Sequence, residues 1–262
     1  MEMRSRTLWI LAAVLTLACA AYQRVTGPTW PAGGSVELAG EEIRYRLPRS
    51  HAGPGDAEVA VRAPADARGT LSFRRHGGNE RWTSVAMLRR GDELAALLPH
   101  QPAAGKLDYS IFVIRGTESV SLGGPFTMRF RGAVPPWVLV PHILLMFLGM
   151  LWATRAGLEK LASEPRYAGL IVWTLILLGV GGLLLGPAVQ KFSFGEWWAG
   201  WPYGTDLTDN KTAIAWLAWV VAWFANRRAP RSAGWWVVAA AVLTLAVFAI
   251  PHSLLGSEIH NR

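Results

Sequence analysis

The chain is 262 residues long, 52% hydrophobic and only 17% charged, with 14 tryptophans and a positive mean hydropathy. That is too apolar for a soluble protein of this length and too short for two soluble domains plus a set of membrane helices, which leaves one soluble module and one membrane module. The formal net charge of +8 is spread over loops and strand-like segments without a Lys/Arg run or a basic helix, which argues against nucleic acid as a partner.

The first apolar stretch, Leu8 to Ala21, is shorter than the ~20 residues a spanning helix needs and carries the small-x-small pattern Ala18-Cys19-Ala20. It reads as a cleaved signal peptide or a retained signal anchor (residues 1–22), and the sequence leaves both open. Thr16, where a lipoprotein site favours a branched aliphatic residue, argues against lipidation of Cys19. As the single cysteine, Cys19 excludes an intrachain disulfide and any cysteine-based metal cluster. A linker over residues 23–34 follows. Its Gly27-Pro28-Thr29-Trp30-Pro31 core cannot continue a helix and sets Trp30 at headgroup level.

From residue 35 to 131 the pattern changes to short segments of alternating polarity. Glu42 to Leu47, Ala57 to Arg62, Thr70 to Arg74 and Leu107 to Val113 are separated by Gly, Pro, Asp and Asn clusters, the spacing of a β-sandwich. One apolar face per strand would bury Tyr45, Val59, Val61, Leu71, Phe73, Trp82, Leu98, Tyr109, Ile111 and Val113. His51, His76 and His100 fall in expected turns and read as solvated loop residues. The run Trp82 to Leu94, then Leu98-Pro99-His100-Gln101-Pro102, then Leu107-Asp108-Tyr109-Ser110-Ile111 resembles immunoglobulin-like or fibronectin type III-like modules of bacterial envelope proteins. The resemblance implies a module that binds partners or spaces them and carries no catalytic residue.

After Gly132 to Pro136, four apolar runs follow: Trp137 to Ala153, Leu170 to Leu185, Ala213 to Ala225 and Trp235 to Ile250. Lipid cannot satisfy a bare backbone, so each is expected to cross as a helix. The fold class is thus an α+β membrane protein: an extracytoplasmic all-β immunoglobulin-like sandwich plus a transmembrane four-helix bundle over residues 134–262, five helices if the N-terminal segment is retained. Arg4, Arg6, Arg155, Lys160, Arg166, Arg227, Arg228 and Arg231 gather in one set of loops. Positive charge marks the cytoplasmic side, so the expected localisation is a bacterial inner membrane with the soluble module and the C-terminus on the periplasmic side.

That orientation brings a set of polar residues to one leaflet: His142, Glu196, Asp206, Asp209, Asn210, Lys211, His252 and Glu258, with His260 beside them. Ionisable groups at membrane depth are costly and mark a candidate site. The run Ala213 to Ala225 is too short to span, so its helix should begin near Thr208, with Thr208 as N-cap and Asp206 and Asp209 on one face near its positive end. The segment Gly204-Thr205-Asp206-Leu207-Thr208-Asp209-Asn210-Lys211-Thr212 resembles one found in uncharacterised bacterial multi-pass proteins, and that likeness implies no reaction. Trp197, Trp198, Trp201 and Tyr203 just before it also fit an aromatic belt.

Gly182-x-x-x-Gly186 permits close helix contact, and Trp216, Trp219 and Trp223 form one stripe. Met146 and Met150 read as packing material. No phosphate-binding loop, nucleophile elbow, His-Glu-x-x-His pair or haem attachment motif is present.

Three functions remain in play. The first is a non-catalytic accessory or assembly subunit of a larger membrane complex, with the bilayer and other membrane or periplasmic proteins as partners. The second is a small redox or quinol-reactive protein in which His142 and His252 hold a haem b or copper, with Asp209, Glu258 and Ser253 as outer acceptors. The third is an enzyme on lipid-linked substrates that uses Asp206, Asp209, Glu196 and His252 as acid and base.

Overall fold

A computed structural model describes residues 5–204, 206–229 and 233–251. Its contacts divide the chain into two units, 5–28 with 134–251 and 29–133. The protein is α+β.

Residues 29–133 carry eleven strands: β1 (Ala32–Leu38), β2 (Glu41–Leu47), β3 (Ser50–Ala52), β4 (Ala57–Arg62), β5 (Arg68–Arg75), β6 (Thr83–Ala86), β7 (Leu88–Arg90), β8 (Glu93–Leu98), β9 (Lys106–Arg115), β10 (Glu118–Ser121) and β11 (Phe126–Arg131). They form a β1-β2 hairpin, a six-stranded sheet ordered β3-β11-β9-β5-β6 with β10 also on β9, and a three-stranded sheet β4-β8-β7. The period-2 pattern works as the sequence implies. Leu107, Tyr109, Ile111 and Val113 of β9, Val59 and Val61 of β4, and Leu94 and Leu98 of β8 bury into a single cluster that also takes Ile43 and Leu47 of the hairpin. Tyr109 donates its hydroxyl to the Pro48 carbonyl at 2.6 Å, and burial pushes its pKa well above the ordinary phenol value. At Gly69 a Cβ would meet Met87 Sδ at 2.8 Å, so only glycine lets Met87 close that end of the core.

Two sequence readings change here. Trp82 is 39% exposed and leaves the core, because Arg74 lies over its ring at 4.8 Å instead. Nor are the histidines simply solvated: His76 Nδ1 meets Asp108 Oδ1 at 2.8 Å, and His51 sits in β3 edge-on to Phe130.

The helical unit comprises α1 (Ser5–Thr26), α2 (Pro136–Leu158), a 3-10 turn (Glu159–Leu161), α3 (Tyr167–Leu178), a π-helical segment (Gly179–Leu185), α4 (Gly186–Phe194), α5 (Leu207–Arg228) and α6 (Ala233–Ala249). Among the described residues, three stretches are long and apolar enough to cross a membrane: Ser5–Thr26, Pro136–Leu161 and Tyr167–Phe194. α5 has the length but bears Asp209 and Lys211 at its start and Arg227 and Arg228 at its end, and α6 is shorter.

α1 buries Leu8, Ala12 and Thr16, one residue per turn, so a single stripe faces its neighbours. Thr16 Oγ1 donates to Thr154 Oγ1 of α2 at 3.5 Å and Cys19 Sγ to the Leu245 carbonyl of α6 at 3.6 Å. Trp219, fully buried on the aromatic stripe of α5, donates its indole N–H to Thr244 Oγ1 of α6 at 2.9 Å. Gly182, in the π segment, permits the close helix contact implied by its small size, since a Cβ there would meet Thr212 Cγ2 of α5 at 2.5 Å, whereas a Cβ on Gly186 would meet nothing nearer than 3.9 Å.

Candidate functional site

Ala199 to Trp201, Asp206 and the first turn of α5 form one hydrogen-bonded knot. Asp206, not Thr208, is the N-cap: its Oδ1 accepts from the backbone N–H of Thr208 at 2.8 Å and of Asp209 at 3.1 Å. As a cap it stands outside the helix, so it does not share a helical face with Asp209. Thr208 instead offers its carbonyl to the Thr212 hydroxyl at 2.9 Å.

Asp209 is buried, and its Oδ2 accepts from the N–H groups of Ala199 at 2.8 Å and Gly200 at 3.2 Å. Next to it, Asn210 Oδ1 accepts from Trp201 N–H at 2.7 Å. Gly200 makes this approach possible, since a Cβ would lie 2.8 Å from both Asn210 Oδ1 and Asp209 Cβ. The Ala199 carbonyl closes the knot by accepting from Asp206 N–H at 2.9 Å. The aromatic residues of the loop point the other way, with Trp197, Trp201 and Tyr203 strongly exposed.

Lys211, only 2% exposed, turns from the knot to the end of α6, where its Nζ donates to the Ile250 carbonyl at 2.6 Å. Gln23 of α1 donates to that same carbonyl at 3.3 Å. A cation at a helix C-terminus is favoured by the helix dipole, so Lys211 joins α5, α6 and α1. Gln190 of α4, a residue with no signal in the sequence, is buried beside Asp209, and its Nε2 has no hydrogen bond of ordinary geometry among the described residues.

His142 belongs to a different feature. Its Nδ1 lies 2.8 Å from the Gly181 carbonyl in the π segment, and since a carbonyl only accepts, Nδ1 carries the proton. π-helical turns displace backbone carbonyls from their usual partners. Trp216 does similar work from α5, donating its indole N–H to the Leu175 carbonyl at 3.1 Å.

The expected set of polar residues therefore divides. Asp206, Asp209 and Asn210 converge, Lys211 lies beside them, His142 stands apart on Gly181, and Glu196 is exposed to solvent. His252, Ser253, Glu258 and His260 lie outside the described residues, as does any pairing of His142 with His252. No group of three or more His, Cys, Asp or Glu arranged to hold a metal occurs among the described residues.

A second buried polar cluster was invisible in the charge pattern, which used Arg155 and Arg166 only as topology markers. Arg155 Nη1 donates to Glu159 Oε2 with both side chains almost fully buried. Glu159 Oε1 accepts from Arg166 N–H at 2.8 Å, where α3 begins. Arg155 also reaches Ser5 Oγ of α1 at 3.4 Å and lies over the Trp9 ring at 5.5 Å. The i,i+4 spacing of Arg155 and Glu159 was the available signal.

No family model and no curated protein matches the chain. Among solved structures, "Crystal structure of Br derivative BhCBM56" is similar at 12% identity over 38% of this chain and 92% of its own, with a TM-score of 0.26, and neither fold nor function is inferred from it.

Proposed function

We propose that the protein is a multi-pass inner-membrane component whose immunoglobulin-like β-sandwich lies on the periplasmic side, and that it acts as a non-catalytic accessory or assembly subunit of a larger membrane complex. The observation that carries this reading is the use to which the membrane-depth polar groups are put. Asp206 caps a helix, Asp209 and Asn210 hold a loop, Lys211 ends α6 and His142 satisfies a π segment. Groups consumed in holding elements together are poorly placed to exchange protons with a substrate.

Several features support the architecture. Inward residues of the three-stranded and six-stranded sheets share one core, as in a sandwich. Tethers 27–31 and 132–135 are short. Arg155, Lys160, Arg166, Arg227 and Arg228 fall at the α2, α3 and α5 termini that form one end of the helical unit, in keeping with a cytoplasmic side. The side-chain bonds of α1 to α2 and α6 favour its retention as a fifth helix.

The test is extraction in a mild detergent followed by native electrophoresis and chemical crosslinking. A discrete higher-mass complex containing other proteins is expected, and a protein that always migrates alone overturns the reading.

A second reading keeps one specific observation. With its Nδ1 proton on Gly181, His142 offers Nε2 as a lone pair in the tautomer that second-shell bonding gives a metal or haem ligand. A haem b or copper at His142 and His252 then predicts a Soret band or stoichiometric bound metal in the purified protein. Their absence removes it.

A further inference from the structure

We propose that the first turn of α6, with Lys160 and Tyr167 beside it, binds the phosphate of an anionic membrane-lipid headgroup. This goes beyond the accessory role and rests on the reading of the helical unit as lying in a bilayer.

α6 starts at Ala233, and the backbone N–H groups of Ala233, Gly234 and Trp235 have no acceptor among the described residues. The same turn carries no acidic side chain. Bare donors and the positive end of the helix dipole together favour an anion there. Two side chains from other elements reach the same turn. Tyr167, the first residue of α3, is only 9% exposed, yet its hydroxyl makes no hydrogen bond among the described residues and is directed at Gly234, where a Cβ would lie 2.6 Å from the hydroxyl oxygen. A donor in so enclosed a place is costly without an acceptor, and a phosphate oxygen supplies one. Lys160 Nζ, from the 3-10 turn, lies 3.5 Å from that same Cβ position. Glycine at 234 is what lets both groups close on the helix end.

The other cations at this end of the helical unit are already used. Arg155 pairs with Glu159 and Arg166 with Glu164. Arg227 and Arg228 lie in the last turn of α5, where they complement that helix's own negative end. Lys160 has no carboxylate partner among the described residues. Glu159, the carboxylate whose charge reaches Tyr167, is held by Arg155 and accepts from Arg166 N–H through its other oxygen. The other helix starts also differ: α2 begins at Pro136, which has no N–H, and α5 is capped by Asp206.

The surroundings select what carries the phosphate. Trp235 and Trp236 are 68% and 53% exposed, and Lys160 Nζ lies 4.4 Å from the centroid of the Trp235 ring. Exposed tryptophans beside a cation mark headgroup depth, and a basic pocket between helices at that depth suits an anionic headgroup. A free phosphate gains nothing from two exposed indoles, whereas the acyl chains below a headgroup do.

Native mass spectrometry of the full chain in detergent micelles, titrated with phosphatidylglycerol, tests this. One lipid should bind more tightly than the rest, and more tightly than phosphatidylcholine. Lys160→Gln should weaken that first binding step by about tenfold and Tyr167→Phe by about threefold, while Lys160→Arg should keep most of it. Arg228→Gln, which removes the same charge from the same end, should cost less than about twofold. Equal losses for Lys160→Gln and Arg228→Gln overturn the assignment, as does equal binding of phosphatidylcholine. Displacement of the lipid by millimolar inorganic phosphate would assign the site to free phosphate instead and overturn the lipid. The thermal transition of each variant identifies one that has merely unfolded, in which case Tyr167→Phe, which keeps the ring, decides.

The two readings fail separately. A crosslinked complex from a chain without lipid preference sinks the headgroup site alone. Lipid binding that depends on Lys160 in a chain that always migrates alone sinks the accessory role alone.

Discussion

Among the described residues of the helical unit, two buried polar clusters solve the cost of burial in opposite ways. At the start of α5, Asp209 is satisfied by backbone: two N–H groups of a loop converge on one carboxylate oxygen. At the end of α2, Glu159 is satisfied mainly by a second charge, Arg155, which in turn leans on α1 through Ser5 and Trp9. Backbone donors cannot be removed by mutation, whereas a counter-ion can. The first cluster should therefore tolerate changes around it, and the second should fail sharply when either partner is lost.

The largest expected effect follows from that difference. Arg155→Ala leaves Glu159 buried without its cation and should destabilise the helical unit by ~3–5 kcal/mol, measured as midpoint shifts in denaturant titrations in mixed micelles. The double variant Arg155→Met, Glu159→Leu should recover much of the loss. A single variant that costs no more than the double would erase the contrast.

Asp209→Ala comes next, at ~2–3 kcal/mol, because Ala199 and Gly200 lose their acceptor. Its signature is local: limited proteolysis should cut within 195–204, and Asp209→Asn, which keeps an acceptor oxygen, should protect that loop. Equal cleavage in both variants would mean that the charge, not the acceptor, holds the loop.

Smaller losses are expected from the helix ends. Asp206→Ala should cost ~1 kcal/mol as a lost N-cap. Lys211→Met should cost about as much by stripping the Ile250 carbonyl of its shortest donor, and the hydrogen exchange of the last turn of α6 should rise while that of α5 does not.

The smallest effect lies in the sandwich. The hydrogen bond from Arg115 holds the Asp66 carboxyl below its ordinary 3.8. A carboxylate with a depressed folded value adds stability above its unfolded pKa and loses it as pH falls through the folded one. Asp66→Asn should therefore lower stability slightly near neutrality and make no difference at the acid end, where the carboxyl is already protonated, and a loss of equal size at both ends of the profile would contradict the assignment.

The strand pattern was legible because alternation is a local property. Ala57 to Arg62 is β4 with the bounds the sequence implies, and the outward Asp108 between the core residues Leu107 and Tyr109 follows from period 2 alone. Trp82 broke the pattern because its partner, Arg74, lies on a neighbouring strand. A side chain that can lie under a guanidinium need not be in the core.

At the site, polar residues near the start of α5 were legible from composition: a short apolar run needs flanking polar residues to complete its helix. Which of them caps was not. Thr208 and Asp206 are both good N-caps by type, and the choice fell to Asp206 because its N–H is held by the Ala199 carbonyl, a contact set by the loop. His142 was legible as an expensive residue but not as the partner of Gly181, since that bond depends on a π segment that no residue pattern announced.

Residue order by itself thus determined what is periodic or costly: apolar lengths, strand faces, the sorting of positive charge, and the places where a polar group must find company. Tertiary structure alone decided what that company is, because hydrogen bonds between elements distant in sequence, from Asp209 to Gly200 across a loop or from Arg155 to Ser5 across helices, depend on approach distances that no local spacing encodes.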